Sequence, residues 1–254
     1  MENLNLKDSE VLVLRKCRED FTSRNGFIYP EKGYVGAHDW INNGKCGNGL
    51  HGLEWGIGYY DINDHGKMWQ IIKVDKNNRC KDLLLGIVKF KCGEVILSTL
   101  DQKEAMDLLM KHAPDELKGE VNYQVVFSGD NSVVTCGNYS TIISGNNSII
   151  TSGYGSTITS WYCSYITSGN YSTITSGFES TITSGDDSTI TSGDESIIIS
   201  RNYSTVIIRG NNVTFILGKK SRVITESSIF IEGIDFKADE KVIVKYGKII
   251  KENK

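Results

Sequence analysis

Hydrophobic and polar residues recur with an eight-residue period between Ser128 and Ile207. The segment consists of ten octads without a gap: SGDNSVVT, CGNYSTII, SGNNSIIT, SGYGSTIT, SWYCSYIT, SGNYSTIT, SGFESTIT, SGDDSTIT, SGDESIII and SRNYSTVI. The last four positions of an octad alternate and are rich in β-branched residues, which predicts a short strand. Each repeat can bury its apolar side only against its neighbours, so the pattern predicts a β-solenoid.

The seventh position of the octad identifies the interior of this solenoid. It is Val or Ile in every octad, from Val134 to Val206, and the fifth position is always Ser, from Ser132 to Ser204. Alternation places both inward, where the Ser hydroxyls can hydrogen-bond to stacked neighbours or to backbone. We interpret the Gly at position two as the residue that permits the turn. A coil of one octad is too tight for an Ile core, so we expect two octads, or sixteen residues, per coil.

The repeat divides the chain into three expected domains of a mainly β protein. Residues 1–118 have mixed composition and predict a small α+β domain, residues 119–227 the solenoid, and residues 228–254 a C-terminal β cap. Two degenerate octads, RGNNVTFI and LGKKSRVI, follow Ile208, which is one inserted residue. The tail alternates as IFIEGIDF and KVIVKYGKII, two strands that would hide an open solenoid edge, while the N-terminal domain would close the other end.

Two octads per coil place alternate octads on opposite faces. One face is expected to carry a Thr-x-Thr ladder, clean over three rungs: Thr157, Thr159, Thr173, Thr175, Thr189 and Thr191. The opposite face is more apolar, with Val133, Ile149, Tyr165 and Ile197 pointing outward. A continuous exposed apolar surface is unusual for a monomer, so we expect a second copy or a partner protein to cover it.

The turns differ in chemistry along the solenoid. The middle turns are aromatic and the late turns acidic, and the acidic pairs fall on opposite edges, so no continuous phosphate-like row is expected. The candidate partner-binding residues are Ile149, Tyr154, Trp161, Tyr162, Tyr165, Tyr171, Phe178, Asp186, Asp187, Asp194 and Glu195.

The octads SGYGSTIT and SGNYSTIT resemble the AGYGST-type octad of bacterial ice-nucleation proteins, and the resemblance covers the ten-octad run. It includes the turn Gly, the inward Ser and the Thr-x-Thr pair. The resemblance implies a similar solenoid and ordering of water on the Thr ladder. Because the run is short and the ladder is broken at both ends, it implies a small ice-binding protein and not a nucleator.

The N-terminal region predicts several strands and helices. An amphipathic helix is expected from Asp101 to His112, stopped by Pro114, and a second short helix from Leu53 to Tyr60. The candidate strands are Val11–Leu14, Trp69–Val74, Leu83–Phe90 and Glu94–Ser98. The segment CGNGLHGLEWGIGYYD, residues 46–61, resembles a Cys-x-x-Gly-Leu-His element of an uncharacterised N-terminal domain in phage and bacterial proteins. That resemblance implies a phage or mobile-element origin but no activity.

His51, with Cys46 nearby and Glu54 one turn on, is the best candidate for chemistry in this region. We expect a structural role for His51. The alternatives are a metal site that Cys46 and His51 share with Cys80 and Cys92, or catalysis. His38 and His65 beside Asp39 and Asp64 are expected to be solvated loop residues. The chain shows no phosphate-binding Gly loop, nucleophile elbow or paired-carboxylate motif, and Gly44–Gly58 lacks the strand-then-helix setting of a dinucleotide fingerprint. We therefore expect no catalytic residue, cofactor or metal.

Charge and composition narrow the function further. The net charge of −3 gives no reason to expect binding to nucleic acid or to anionic membranes. No apolar stretch has secretory or membrane-spanning length, and the six scattered cysteines are typical of reduced thiols in a cytoplasm, the host cytosol if the chain is phage-encoded.

These patterns favour a non-enzymatic interaction protein over an enzyme. The partner would be a protein, such as a host defence nuclease of the CRISPR effector class that the chain inhibits, or a second copy that forms a homodimer through the apolar face. The alternative is an ice-binding protein that uses the Thr-x-Thr ladder. A further alternative is an enzyme in the N-terminal domain.

Overall fold

A computed structural model describes residues 4–23, 25–45, 47–58, 62, 65–80 and 86–250 of the chain. It divides into two compact units, Met1–Tyr123 (unit 1) and Gln124–Lys254 (unit 2). Unit 1 is a mixed α+β unit and unit 2 contains the repeats, and each is described by itself.

Unit 1 is built on one sheet, whose described strands run antiparallel in the order β2-β7-β4-β1-β3-β6-β5. Helix α1 packs against β4 and β7 and buries Ala105, Met106 and Leu109. Short 3-10 helices that lie wholly within the described residues span Lys76–Asn78 and Asp115–Glu120. The strands and the helix are β1 (Glu10–Cys17), β2 (Gly33–Gly36), β3 (Leu50–Glu54), β4 (Met68–Asp75), β5 (Arg79–Cys80), β6 (Ile87–Phe90), β7 (Cys92–Thr99) and α1 (Gln102–His112).

Most of the predicted elements of unit 1 are confirmed. The helix begins at Gln102, where the Asp101 carboxylate accepts a hydrogen bond from the Lys103 N–H at 2.8 Å, and it ends before Pro114. The predicted strands Val11–Leu14, Trp69–Val74 and Glu94–Ser98 lie within β1, β4 and β7. Of the predicted strand Leu83–Phe90, the part from Ile87 is β6, and residues 83–85 lie outside the described residues.

The predicted short helix from Leu53 to Tyr60 is wrong in its described part. Leu50–Glu54 is strand β3, which pairs with β1 on one side and β6 on the other. At Gly52 an added Cβ would lie 2.6 Å from the Leu14 carbonyl oxygen, so the absence of a side chain lets the two strands approach. Sheet pairing thus decides the local structure, and Tyr60 lies outside the described residues.

Unit 2 is a β-solenoid whose strands alternate between two sheets. The first sheet holds β8 (Val125–Phe127), β10 (Thr141–Ile143), β12 (Thr157–Thr159), β14 (Thr173–Thr175), β16 (Thr189–Ser192), β18 (Thr205–Ile208) and β20 (Arg222–Ile224). The second holds β9 (Val133–Thr135), β11 (Ile149–Thr151), β13 (Tyr165–Thr167), β15 (Thr181–Ser184), β17 (Ile197–Ser200) and β19 (Val213–Leu217).

The predicted sixteen-residue coil is confirmed by the strand register. Each strand pairs in parallel with the strand one coil on, as Ile142 does with Ile158 and Ile150 with Ile166. At the C-terminal end the advance grows to seventeen residues, so that Val206 pairs with Val223. The inserted residue is absorbed there, because Ile208 takes the inward place that Ser192 holds one coil earlier.

The solenoid interior is the predicted Ser/Ile core with one further inward row. The seventh-position residues from Ile142 to Val206 are buried, as are the fifth-position serines from Ser140 to Ser204. The backbone N–H of Ser172 donates to the Ser188 hydroxyl one coil on at 3.4 Å, and this link recurs along the stack. The first-position serines, from Ser144 to Ser200, are also buried. The core therefore has three inward positions per octad.

The expected role of the position-two Gly is wrong. The positive φ of each turn falls at position four, for example at Asn147 (53°), Tyr171 (59°) and Glu195 (55°). Position two needs Gly because adjacent coils approach closely there: a Cβ on Gly169 would lie 2.8 Å from the Tyr154 backbone nitrogen. The turn glycines are therefore packing residues between coils.

Antiparallel strands close the C-terminal end of both sheets, as the cap prediction required. They are β21 (Ile229–Ile231), which pairs with β20, β22 (Lys241–Lys245), which pairs with β19, and β23 (Lys248–Ile250), which pairs with β22. Between β21 and β22 the chain turns inward, and the Phe236 ring packs edge-on against Phe215 with centroids 5.0 Å apart. The cap thereby extends the solenoid core.

Of the helices in the described part of the chain, none combines the length and the apolar character needed to cross a membrane.

Candidate functional site

The outward residues of the first sheet form the predicted threonine ladder. Strands β12, β14 and β16 pair in strict register, which stacks three Thr-x-Thr pairs on each other. We call Thr157, Thr159, Thr173, Thr175, Thr189 and Thr191 the Thr face. Its hydroxyl-bearing side chains repeat about every 4.8 Å along the stack and about every 6.6 Å along each strand.

The hydroxyls of the Thr face are available to solvent. In the part of the chain that the structure describes, no protein group forms a hydrogen bond with any of these six side chains, and each is exposed or half-buried. The outward positions of the first sheet from Thr141 to Ile207 carry only Thr and Ile, so no ionisable group interrupts them. Behind them, Ile158, Ile174 and Ile190 are fully buried and hold the strands in place.

Apolar and basic residues border the Thr face at its ends. Thr141 and Thr205 extend one column to five threonines, about 19 Å long at the strand spacing. The second column ends in Ile143 and Ile207, as the sequence predicted. At the C-terminal border the Arg222 Nε donates to the Thr205 hydroxyl at 3.1 Å. The part of the sheet in which each strand carries two outward threonines is therefore limited to three rungs.

The outward residues of the second sheet form the more apolar surface that the sequence predicted. Val133, Ile149 and Tyr165 stack in register and expose 76%, 50% and 62% of their surface. Ile197 and Ile199 lie two rungs beyond Tyr165 and are also exposed. We call these five residues the apolar face. Because Thr181 and Thr183 occupy the rung between, the apolar face is divided.

The turn aromatics lie on two separate edges of the solenoid. On one edge the Tyr154 ring packs against Tyr171 with centroids 5.1 Å apart, and on the other Tyr162 stacks on Phe178 at 4.8 Å. The charge of Asp187 and then the nearby Tyr154 raise the pKa of Tyr171. The candidate partner-binding residues thus lie on three surfaces, the two edges and the apolar face, and do not form one patch.

The acidic turn residues have a structural task that the sequence did not reveal. Position-three Asp and Asn side chains accept hydrogen bonds from the backbone of the next coil, as Asp194 Oδ1 does from the Asn211 N–H at 2.6 Å. Asp186 makes the same link on the opposite edge. Asp187 and Glu195 occupy position four and are exposed.

The predicted constellation around His51 is not assembled in the described residues. His51 and Glu54 are both on β3, three positions apart and hence on opposite sides of the strand, and the Glu54 carboxylate pairs with Arg79 at 3.2 Å. Cys46 lies outside the described residues. Among those described, no cluster of three or more His, Cys, Asp or Glu side chains could hold a metal ion.

Comparisons with known proteins point to the same repeat. The chain is 30% identical over 112 residues to the ice nucleation protein InaU of Pantoea ananas. The matched region covers 43% of this chain and 11% of that protein. It matches an ice nucleation protein of Enterobacter agglomerans with the same identity over 43% of this chain and 9% of that protein. No family model and no solved structure matches the chain. The chain spans about a tenth of the length of these relatives, and the similarity to ice nucleation proteins supports the repeat part of the sequence interpretation.

Proposed function

We propose that the Thr face binds ordered water and, through it, the surface of ice. The observation that carries this proposal is the in-register stack of three Thr-x-Thr rungs whose hydroxyls have no partner within the described protein. The Thr face thus favours ice binding over a protein-interaction function.

The Thr face is preorganised for binding ordered water. Ordering a water molecule on a surface carries an entropic cost of up to about 2 kcal/mol, which a mobile surface would increase by its own ordering. On the Thr face the backbone ladder fixes the strand positions, and β-branching restricts the rotamers of each Thr. Hydroxyls and methyl groups therefore repeat at fixed intervals before any water is bound.

The comparisons support ice as the ordered phase of water. The relatives are named as ice nucleation proteins, and the matched region covers 43% of this chain. The Thr face has three complete rungs, whereas nucleation requires a large template. We therefore propose adsorption to ice that already exists, and the repeat similarity favours a non-enzymatic function for unit 2.

The experiment is to measure thermal hysteresis and inhibition of ice recrystallisation in purified full-length protein. A triple variant Thr159→Lys, Thr175→Lys and Thr191→Lys places three cations on the Thr face and should abolish both activities. The matched control, Thr151→Lys, Thr167→Lys and Thr183→Lys, changes the same octad position on the second sheet and should retain them. Absence of both activities in the wild type, or equal loss in the control, would contradict the proposal.

A second candidate function is self-association through the apolar face. It is favoured by the exposure of Val133, Ile149 and Tyr165 on three successive rungs, since contiguous apolar surface is typically covered in a stable protein. Sedimentation over a range of concentrations should show a dimer that Ile149→Lys and Tyr165→Lys dissociate. A wild type that remains monomeric at high concentration would contradict this function. Inhibition of a host nuclease gains no support from the geometry or from the comparisons.

A further inference from the structure

Unit 1 contains a cleft of about 740 Å³ that the Thr face does not involve. Its described lining includes three histidines, His38, His51 and His65, together with Arg15 and one acidic side chain, Asp39. Clefts of this volume are typical of sites for small molecules. Phe27, Tyr29, Leu50, Ile62 and Ile87 supply apolar lining.

Arg15 is a buried cation in the wall of this cleft. Its side chain is 5% exposed, and its guanidinium carbon lies 3.2 Å from the centroid of the Tyr29 ring. Nη1 donates to Gln70 Oε1 and Nη2 to the Lys16 carbonyl, both at 3.3 Å. The Nε–H is buried and has no acceptor among the described residues. The guanidinium is therefore held in place by the Tyr29 ring and two hydrogen bonds, and its Nε–H points to no described acceptor.

The orientation of Gln70 is itself fixed by the fold. Gln70 is fully buried, and its Nε2 donates to the Pro30 carbonyl and to the Ser98 hydroxyl, both at 3.0 Å. These two acceptors require the amide oxygen to face Arg15. A buried polar network of this kind fixes the guanidinium in one direction.

The positive charge of Arg15 has no matching negative charge among the described residues. Its hydrogen-bond partners are a neutral amide and a backbone carbonyl, and no described carboxylate pairs with it. Lys89, which is also fully buried, donates to Asn43 Oδ1 at 2.7 Å and to two backbone carbonyls. Burying a charge without a counter-ion is costly. Because Arg15 has no carboxylate partner among the described residues, it is suited to an anionic ligand in the cleft.

Nearby positive charges also act on His51. Burial, and next the charge of Lys89, lower the pKa of His51, and Arg15 contributes in the same direction. Its Nε2 is buried and has no hydrogen-bond partner among the described residues. An anion bound in the cleft would offset the charge of Arg15, and a polar atom of the ligand would provide a hydrogen-bond partner for His51 Nε2.

We propose that this cleft binds a small organic anion whose carboxylate or phosphate group contacts Arg15 and whose apolar body packs against Phe27 and Tyr29. Arg15 provides charge-assisted hydrogen bonding and His51 a second polar contact. The site lies wholly in unit 1 and does not depend on ice binding by the Thr face.

The test uses the full-length protein and three probes of matched shape: benzoate, phenyl phosphate and neutral benzyl alcohol. Calorimetry and ¹H–¹⁵N spectra should show binding of at least one anionic probe, with shifts at Gly49 and His51, and no comparable binding of the alcohol. The ratio of the two anion affinities identifies the group that the site prefers. Arg15→Met should lower the affinity for the bound anion by about tenfold or more, since a hydrogen bond to a charged group contributes about 1.5–3 kcal/mol.

A pair of rim variants with opposite charges keeps the test decisive if Arg15→Met does not fold. Asn25 is exposed and lines the cleft. Asn25→Asp should weaken anion binding and Asn25→Lys should strengthen it, each by a few-fold at low salt. The proposal is overturned if neither anion binds, if benzyl alcohol binds equally well, or if affinity is indifferent both to the Asn25 pair and to a folded Arg15→Met protein.

Discussion

Asp186 Oδ1 accepts two hydrogen bonds from Asn202 one coil further along, from the backbone N–H at 3.0 Å and from the side-chain amide at 3.1 Å. Asp130 Oδ1 likewise accepts a hydrogen bond from the backbone N–H of Asn146 at 2.7 Å. The third position of the octad therefore links successive turns through a side chain. The acidity of these turns is secondary to this link, because Asn serves equally well at Asn138 and Asn170.

Replacement of Asp186 should separate its acceptor role from its charge. Asp186→Ala removes the acceptor for the Asn202 N–H and should lower the free energy of unfolding by about 1–2 kcal/mol. Asp186→Asn keeps an acceptor and should stay near the wild type, and Asp187→Asn serves as a neighbouring charge control. Urea unfolding of the four proteins measures the effect. Equal stability of the Ala and Asn variants would show that the link contributes nothing.

The packing role of the position-two glycines predicts a contrast between two substitutions. Gly169→Ala would place a Cβ 2.8 Å from the Tyr154 backbone nitrogen, which the ladder prevents from moving, and should destabilise unit 2 by about 1–3 kcal/mol. Gly129→Ala is the matched control, because a Cβ there has no atom within 4 Å. It should be neutral or stabilise by up to about 1 kcal/mol through the unfolded state. Thermal unfolding compares them, and similar shifts for both would refute the close-approach argument.

The sequence predicted the parts of the solenoid that strict alternation determines. An invariant seventh-position Val or Ile has only one way to be buried in a short strand, so the inward row at Ile142 and Ile158 and the sixteen-residue coil could be derived. The two outward surfaces follow from the same parity. The C-terminal cap could be anticipated because an uncovered parallel edge is unfavourable.

The features that the sequence missed depend on distances between coils or between remote segments. Asp or Asn in a turn is equally consistent with solvation, and only the coil spacing shows that Asp194 reaches the next backbone. The left-handed residue falls at position four, where Tyr171 and Glu195 carry no mark of that conformation. The cleft of unit 1 joins Arg15, His38 and His51 from separate strands and loops, and no local motif predicts it.

Cys136 should make the stability of unit 2 depend on alkaline pH. Its thiol is buried and donates to Gln124 Oε1 at 3.7 Å, and burial raises the pKa from 9.0 to about 11. The folded state holds the thiol proton more tightly than the unfolded state does. The resulting stabilisation is fully present below pH 9 and is lost as the pH rises through 11, with a total of about 2–3 kcal/mol.

The measurement is the difference in unfolding free energy between the wild type and Cys136→Ala at several pH values from 8 to 11. This difference cancels the titration of Tyr and Lys side chains common to both proteins. It should favour the wild type most at pH 8 and shrink above pH 9. A difference that stays constant over this range would show that the Cys136 thiol ionises equally in both states.

Trp161 stands where the other turns of the central repeat carry Gly, and it should cost the solenoid stability. The link from Tyr162 N–H to Asn146 Oδ1 in this turn is 3.4 Å, whereas the equivalent link from Tyr154 N–H to Asn138 Oδ1 is 2.8 Å. The Trp161 side chain is 63% exposed, so burial of its ring does little to offset the longer hydrogen bond.

Trp161→Gly restores the repeat pattern and should raise the free energy of unfolding by about 0.5–2 kcal/mol. Urea unfolding measures the change, with Phe178→Ala, which removes a neighbouring aromatic ring without altering the turn backbone, as the control. A destabilised Trp161→Gly protein would mean that the Trp161 ring packs more favourably than the turn geometry indicates.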